Sequence, residues 1–335
     1  MRRVLPLFAL VLALAACGGG DDGAAGDGTL TVYSGREEEI VEPLFERFEE
    51  ETGIDVEVRY GDSAELAATI AEEGDNSPAD VFFAQDPGSL GAVEQEGLLA
   101  ELPQAILDRV EPRFRDPDGH WIGTSGRVRV VAYNTDELSE DELPDSILGF
   151  TDPRWRGKIG FPPTNASFQA FVTAMRLTLG DDETREWLEG IEANEPTLYD
   201  KNLPTVEAVG RGEVEVGFVN HYYLFLAKEE DPDLPVANHY LGAGDPGALV
   251  SVAGVGILED GDAARRFVEF LLSEEGQRFY AEEAEEAEYP LVAGVEPKEG
   301  LPSLDELQGP EIELDALGPE LERTLELLNE VGLTR

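Results

Sequence analysis

The chain is predicted to be an α/β protein of two lobes joined by strands that cross between them. Three observations carry this. Short β-rich runs alternate with helical patterns from residue 29 onward, which argues for a parallel sheet covered by helices. A long β-rich run at 121–133 falls where a first lobe of roughly 100 residues would be complete. Another long apolar run, rich in small residues, returns at 248–258. At 335 residues there is material for two domains of ordinary size.

Residues 29–33 open the folded part as a strand. Ser34-Gly35 ends it, and Ser34 is placed to cap a helix. Ile40, Val41, Leu44, Phe45 and Phe48 then recur at helical spacing. Glu37, Glu38 and Glu39 precede them, and carboxylates suit the positive end of a helix dipole. Gly53 stops that helix. Residues 54–58 alternate as a strand, and 63–73 are helical. Residues 79–83 read as a buried strand leading to Gln85-Asp86, and 89–96 are helical up to Gly97. Three loops, 34–37, 60–62 and 85–86, leave the C-terminal ends of these strands. They are expected to gather on one edge, where open α/β sheets bind ligands.

The run 121–133 is expected to cross into the second lobe, and 158–161 is a short strand. Pro162-Pro163-Thr164-Asn165-Ala166-Ser167 opens a helix that continues to about Leu179 and stops at Gly180. Thr164 or Asn165 can cap it. The backbone N–H groups at its start could hold an anion. Helices follow at 185–191 and around 206–210. Residues 214–219 form a buried strand broken by Glu215, and 222–228 begin a helix. The run 248–258 is expected to cross back and pair near the 127–133 strand. Helices at 263–272, 277–286 and 317–331 complete the chain, and no internal repeat is present.

Composition narrows the function classes. Asp plus Glu number 72 against 24 Lys plus Arg, a formal charge of −48. That excludes nucleic acid and an anionic bilayer as binding surfaces. It favours solubility at some cost in self-repulsion, which salt would screen. The chain begins with Arg2 and Arg3, an apolar run over 4–16, and Cys17. The apolar part is too short to span a bilayer and reads as an export signal. Residues 18–28, rich in Gly, Ala and Asp, read as a flexible linker. Cys17 is the only cysteine, so no intrachain disulfide is possible.

The most informative stretch is Val219-Asn220-His221-Tyr222-Tyr223. Two adjacent tyrosines stand where a strand ends and a helix begins. Phenolate oxygens there are hard anionic donors, suited to a hard cation of high charge. Packing aromatics with solvated hydroxyls are the alternative. His221 is expected to be structural or solvated, since side chains alternate at a strand end. An enzyme finds little support. His120, His221 and His239 make no His-Glu-X-X-His spacing, and there is no Gly-rich phosphate loop and no Gly-X-Ser-X-Gly elbow.

Several stretches together resemble a known family. They are Val32-Tyr33-Ser34-Gly35, Ser77-Pro78-Ala79-Asp80-Val81-Phe82, Ser125-Gly126-Arg127-Val128-Arg129-Val130-Val131, Trp155-Arg156-Gly157-Lys158-Ile159-Gly160, Asn220-His221-Tyr222-Tyr223, Asp245-Pro246-Gly247-Ala248-Leu249-Val250-Ser251 and Ala287-Glu288-Tyr289-Pro290-Leu291. In this order they resemble the ferric-ion-binding periplasmic proteins of bacterial ABC transporters, the bacterial transferrins. The resemblance implies a periplasmic-binding-protein-like fold whose lobes close on Fe3+ in a cleft. The first lobe would take 29–126 and 248–285, and the second 127–247 and 286–335, with hinge strands at the boundaries. Leu14-Ala15-Ala16-Cys17 separately resembles the lipobox of bacterial lipoproteins. That implies cleavage of 1–17, acylation of Cys17 and an extracytoplasmic, membrane-tethered protein.

By the resemblance Tyr222 and Tyr223 are iron ligands. Where many relatives carry a histidine after the first strand this chain has Glu37, a substitute carboxylate or an ordinary helix-start residue. Where a glutamate often follows the Ala-Asp-Val-Phe strand it has Gln85, a poorer donor and a hydrogen-bond partner behind the ligands. Arg127 lies near the cleft or braces the hinge. No tyrosine stands in the 164–167 loop. The resemblance is therefore to relatives in which a synergistic anion, phosphate or carbonate, completes the iron shell. Thr164, Asn165, Ala166, Ser167, Asn202 and Asn220 would hold it. The implied partners are an ABC permease and its ATPase, and the protein is expected as a monomer. The same fold could instead take a polyamine, thiamine, a phosphonate, a sugar or another small organic ligand.

Overall fold

The computed structural model describes residues 28–284 and 286–334. The leader, Cys17 and residues 18–27 of the linker lie outside them. Apolar runs and helical stripes alternate through the first part of the chain and build a parallel sheet with helical crossovers. The order is β1 (Thr29–Ser34), α1 (Glu38–Thr52), β2 (Asp55–Tyr60), α2 (Ser63–Glu73), β3 (Val81–Ala84), α3 (Pro87–Gln95) and α4 (Gln104–Leu107). Val41, Leu44, Phe45 and Phe48 form the buried face of α1, and Gly53, at φ 70°, ends the helix in the left-handed region. Ser34 is not the cap that its position suggests. Its hydroxyl accepts the Arg36 N–H two residues on, and Glu37 takes the cap position.

β4 (Trp121–Asn134) is buried along its whole length. A strand covered on both faces usually reads as a continuous apolar run, but here Thr124, Ser125, Arg127 and Arg129 interrupt it and are buried with it. β5 (Ile159–Phe161), α5 (Ala166–Leu179), α6 (Asp181–Ala193), β6 (Thr197–Leu198), α7 (Asn202–Gly210), β7 (Val216–Asn220), α8 (Tyr223–Glu230) and β8 (Val236–His239) follow. The chain then returns through β9 (Val250–Ile257), α9 (Asp262–Leu271), α10 (Glu274–Arg278), β10 (Tyr289–Pro290) and α11 (Leu321–Val331).

The strand order is β2-β1-β3-β9-β4-β7-β5-β6, with β8 and β10 also on β4. β1 runs parallel to β2 and β3, whereas β9 is antiparallel to both β3 and β4. Trp121 to Val128 of β4 pair with β9, and Arg129 to Tyr133 pair antiparallel with β7. β4 therefore changes sheets between Val128 and Arg129. β9 pairs with β4 as expected, but along Trp121 to Val128, so that only Arg127 and Val128 of the 127–133 stretch face it, at Ser251 and Val250. Each sheet has its own aromatic cluster. Phe45 stacks on Phe267 at 5.6 Å in the first, and Phe161 stacks on Phe168 at 4.6 Å in the second. Buried rings of this kind each contribute about 2–3 kcal/mol through apolar burial.

Residues 286–335 do not stay with the second sheet. Tyr289 and Pro290 pair with Gly126 and Ser125 in the first sheet, and the 3-10 turn Leu314–Leu317 packs on α3. α11 crosses to α5 and α6, where Thr173 and Thr324 share a buried hydrogen bond of 2.7 Å. The helix expected over 277–286 ends early. α10 passes into a π-turn, Phe279–Glu283, and Glu286 lies in the turn beyond.

Candidate metal centre

The three strand-end loops of the first sheet meet. Gly35 N–H donates to the Phe83 carbonyl at 2.8 Å, and Gly61 N–H donates to the Ser34 carbonyl at 3.1 Å. Gln85 N–H donates to the Ser63 hydroxyl at 2.9 Å. A Cβ on Gly35 would lie 1.9 Å from Ser63 Oγ, so only glycine lets these loops approach. Glu37 stands exposed at this edge. Gln85 is half-buried, and its Oε1 is buried without a partner.

Behind the loops lies a buried charge cluster. Arg36 donates to Ser125 Oγ at 3.3 Å, to Glu286 Oε2 at 3.2 Å and to Glu288 Oε2 at 3.0 Å. Arg127 pairs with Glu288 at 3.4 Å and donates to the Gln85 carbonyl. Burial, then Glu288, pushes the Glu286 carboxyl up to about 7, against the pull of Arg36 and Arg127. Burial opposes the charge on Glu288 too. There Arg36, Arg127 and the Ser125 hydroxyl win and hold it below the usual carboxylate range. Arg127 thus ties the Gln85 loop to the crossing strand.

On the second sheet Asn220 ends β7 directly opposite Arg129 on β4. His221 N–H donates to the Val128 carbonyl at 2.9 Å, and the chain turns into α8 through Tyr222. Tyr222 is buried and Tyr223 half-buried, with ring centroids 4.3 Å apart. Burial raises the Tyr222 hydroxyl well above its ordinary range, and Glu286 and Tyr223 raise it further. His221 is structural and wholly buried, not solvated. Its Nε2 lies 3.1 Å from the Ala287 carbonyl and its Nδ1 3.3 Å from Val128 N. The first must be the protonated nitrogen, since a carbonyl only accepts. Burial lowers the imidazole to about 4.

Beside the tyrosines sits a polar network at the start of α5. Asn165 Oδ1 accepts from Ser167 N at 3.0 Å, from Ser167 Oγ at 2.6 Å and from Asn202 Nδ2 at 3.1 Å. Arg129 Nη1 donates to Ser167 Oγ and Asn220 Oδ1, each at 3.2 Å. Four of the six anion-site candidates, Asn165, Ser167, Asn202 and Asn220, are therefore one network. Thr164 and Ala166 are exposed at its rim. Its centre, Arg129, was not singled out from the sequence. Arg129 is 4 % exposed, its Nη2 has no hydrogen-bond partner, and among the described residues it makes no ion pair with a carboxylate. Burial lowers its guanidinium to about 9, while Tyr222 and Tyr223 oppose that shift. A buried cation with a free donor calls for an anion. The only signal in the sequence was a second arginine, two positions after Arg127, inside an otherwise apolar strand.

Among the described residues no three His, Cys, Asp or Glu side chains are grouped to hold a metal ion. Two hollows among the described residues, of about 550 Å³ beside Val292 and about 1050 Å³ beside Pro310, share no residue with this site.

A family profile for bacterial extracellular solute-binding proteins matches residues 76–307. The chain is 33% identical over 319 residues to the Fe(3+)-binding periplasmic protein of Serratia marcescens, covering 94% of this chain and 93% of that one. Iron-bound HitA from Pseudomonas aeruginosa superposes with a TM-score of 0.80 at 36% identity, over 91% of this chain and 99% of its own. Trichodesmium FutA, in complex with iron and citrate, superposes at 0.81 with 27% identity, again over 91% and 99%. These matches establish the two-lobe α/β binding-protein fold, and the proteins named are solute-binding proteins, not enzymes.

Proposed function

The chain belongs to the bacterial extracellular solute-binding protein family, and from that premise we propose that it captures ferric iron between its lobes and delivers it to an ABC permease. The observation that carries this reading is the Tyr222–Tyr223 pair, one ring buried and one half-buried, beside a buried arginine whose Nη2 has no partner among the described residues. Tyr222 and Tyr223 supply phenolates, and Glu37 supplies a carboxylate from the opposite lobe. Phenols titrate near 10, so the cation must displace their protons, and binding weakens in acid.

The Asn165, Ser167, Asn202, Asn220 and Arg129 network takes a synergistic anion, phosphate or carbonate, with Thr164 and Ala166 at its rim. Two phenolates and a carboxylate neutralise Fe3+, and the anion is balanced by Arg129. Gln85 and Arg127 position the first-lobe loops. The lobes follow the two sheets, and iron with its anion draws them together because only the closed form contacts ligands from both. A permease and its ATPase are the partners, and acylated Cys17 holds the protein outside the cytoplasm.

The test is metal analysis after exposure to ferric citrate and desalting. One iron per chain is expected, with retention that falls when phosphate and carbonate are removed. No retained iron, together with thermal stabilisation by a polyamine or a phosphonate, would transfer the same cleft to an organic solute.

A further inference from the structure

We propose that Glu286 supplies a second first-lobe oxygen to the metal, a ligand the sequence motifs do not mark. The inference rests on the iron reading above. Glu286 is held at both ends by the parts that would meet on the cation. Arg36, which precedes Glu37, donates to its Oε2 at 3.2 Å. Ala287, which follows it, offers its carbonyl to His221, the residue before Tyr222, at 3.1 Å. Ala287 is held at φ 44°, a left-handed conformation that a residue with a Cβ rarely adopts. The strain persists because Arg36 and His221 hold the residues on both sides of the turn.

The state of the carboxylate fits a ligand. Its side chain is 11% exposed, and its Oε1 makes no hydrogen bond among the described residues. Glu288, two residues on, differs. It is wholly buried, Oε2 accepts from Arg36 and Ser125, and Oε1 faces Arg127. Glu288 is built into the scaffold, whereas Glu286 keeps Oε1 without a hydrogen bond among the described residues, next to the Ala287 carbonyl that meets His221. A shielded carboxylate oxygen in a turn tied to the residue before Tyr222 is a hard donor of the kind Fe3+ prefers.

The test compares purified wild type, Glu286→Gln, Glu286→Asp and Glu37→Gln. Iron affinity is measured by citrate competition, with the position of the visible band and the thermal midpoint of the iron-free protein. Glu286→Gln is expected to weaken iron binding about 10–100-fold and to shift the band, with Glu286→Asp intermediate. A structural role alone would lower affinity without moving the band, and that result overturns the inference. Unchanged affinity and band in Glu286→Gln overturn it as well. If Glu286→Gln fails to fold, Glu286→Asp decides, since it keeps the charge facing Arg36 but shortens the reach. Wild-type affinity and band in that variant overturn the inference. If wild type itself binds no iron, the functional reading falls and this one with it. Iron bound by wild type and unaltered by Glu286 changes removes this inference alone.

Discussion

Arg129 and His221 show how much rests on single buried polar groups. Among the described residues Arg129 has no carboxylate to neutralise it, so an anion should bind where Nη2 points. Arg129→Met keeps the apolar stem beside Phe168 and Phe171 and removes the charge. It is expected to weaken iron binding about 10–100-fold and to abolish the dependence on added phosphate or carbonate, read by citrate competition with and without each anion. His221 is neutral when folded. Its folded value of about 4 lies below the ordinary 6.5, so the unfolded chain takes up the proton first as pH falls. The stabilisation is complete above 6.5 and is lost between 6.5 and 4, by up to roughly 3 kcal/mol. His221→Gln, measured by urea denaturation of the iron-free protein across that range, should show a flatter pH slope. The tyrosine pair stood out in the sequence through the ordered motifs around it, because two adjacent tyrosines at a strand end read equally well as packing aromatics. Arg36 and Glu286 were not legible, since they meet across 250 positions of sequence.

Periodicity located the longer elements, because one face of each helix and both faces of the central strands are buried, but the short α4, β6, β8 and β10 gave no periodic signal. α2 fills the span 63–73 read from the sequence. The errors lie at junctions. Ser34 looked like a helix cap but closes a turn, and the last helix turn before Glu286 becomes a π-turn. Local hydrogen bonds decide such points, and periodicity does not report them. The close approach of the β1 and β2 loops depends on Gly35. Gly35→Ala would place its Cβ 1.9 Å from Ser63 Oγ. It should cost about 1–3 kcal/mol by overpacking and weaken iron binding by displacing the Glu37 loop, measured by urea denaturation and citrate competition.

At the scale of the whole molecule, the two-lobe plan was legible because a long β-rich run, 121–133, falls where a first lobe of about 100 residues would be complete. The path of the C-terminal segment was not. Residues 286–335 bind both sheets, and amphipathic patterning says which face is buried but not against what. The charge of −48 acts on the molecule as a whole. Self-repulsion destabilises the compact state, so the thermal midpoint should rise as sodium chloride is raised from low salt toward ~1 M, where the Debye length is about 3 Å.

Capture of iron by paired tyrosinates is tested most directly by visible absorption. Purified protein is titrated with ferric citrate, alongside Tyr222→Phe and Tyr223→Phe. A broad charge-transfer band should grow to one equivalent in wild type and be lost or shifted in each variant. A wild type that stays colourless, or a band unchanged in both variants, would contradict tyrosinate ligation.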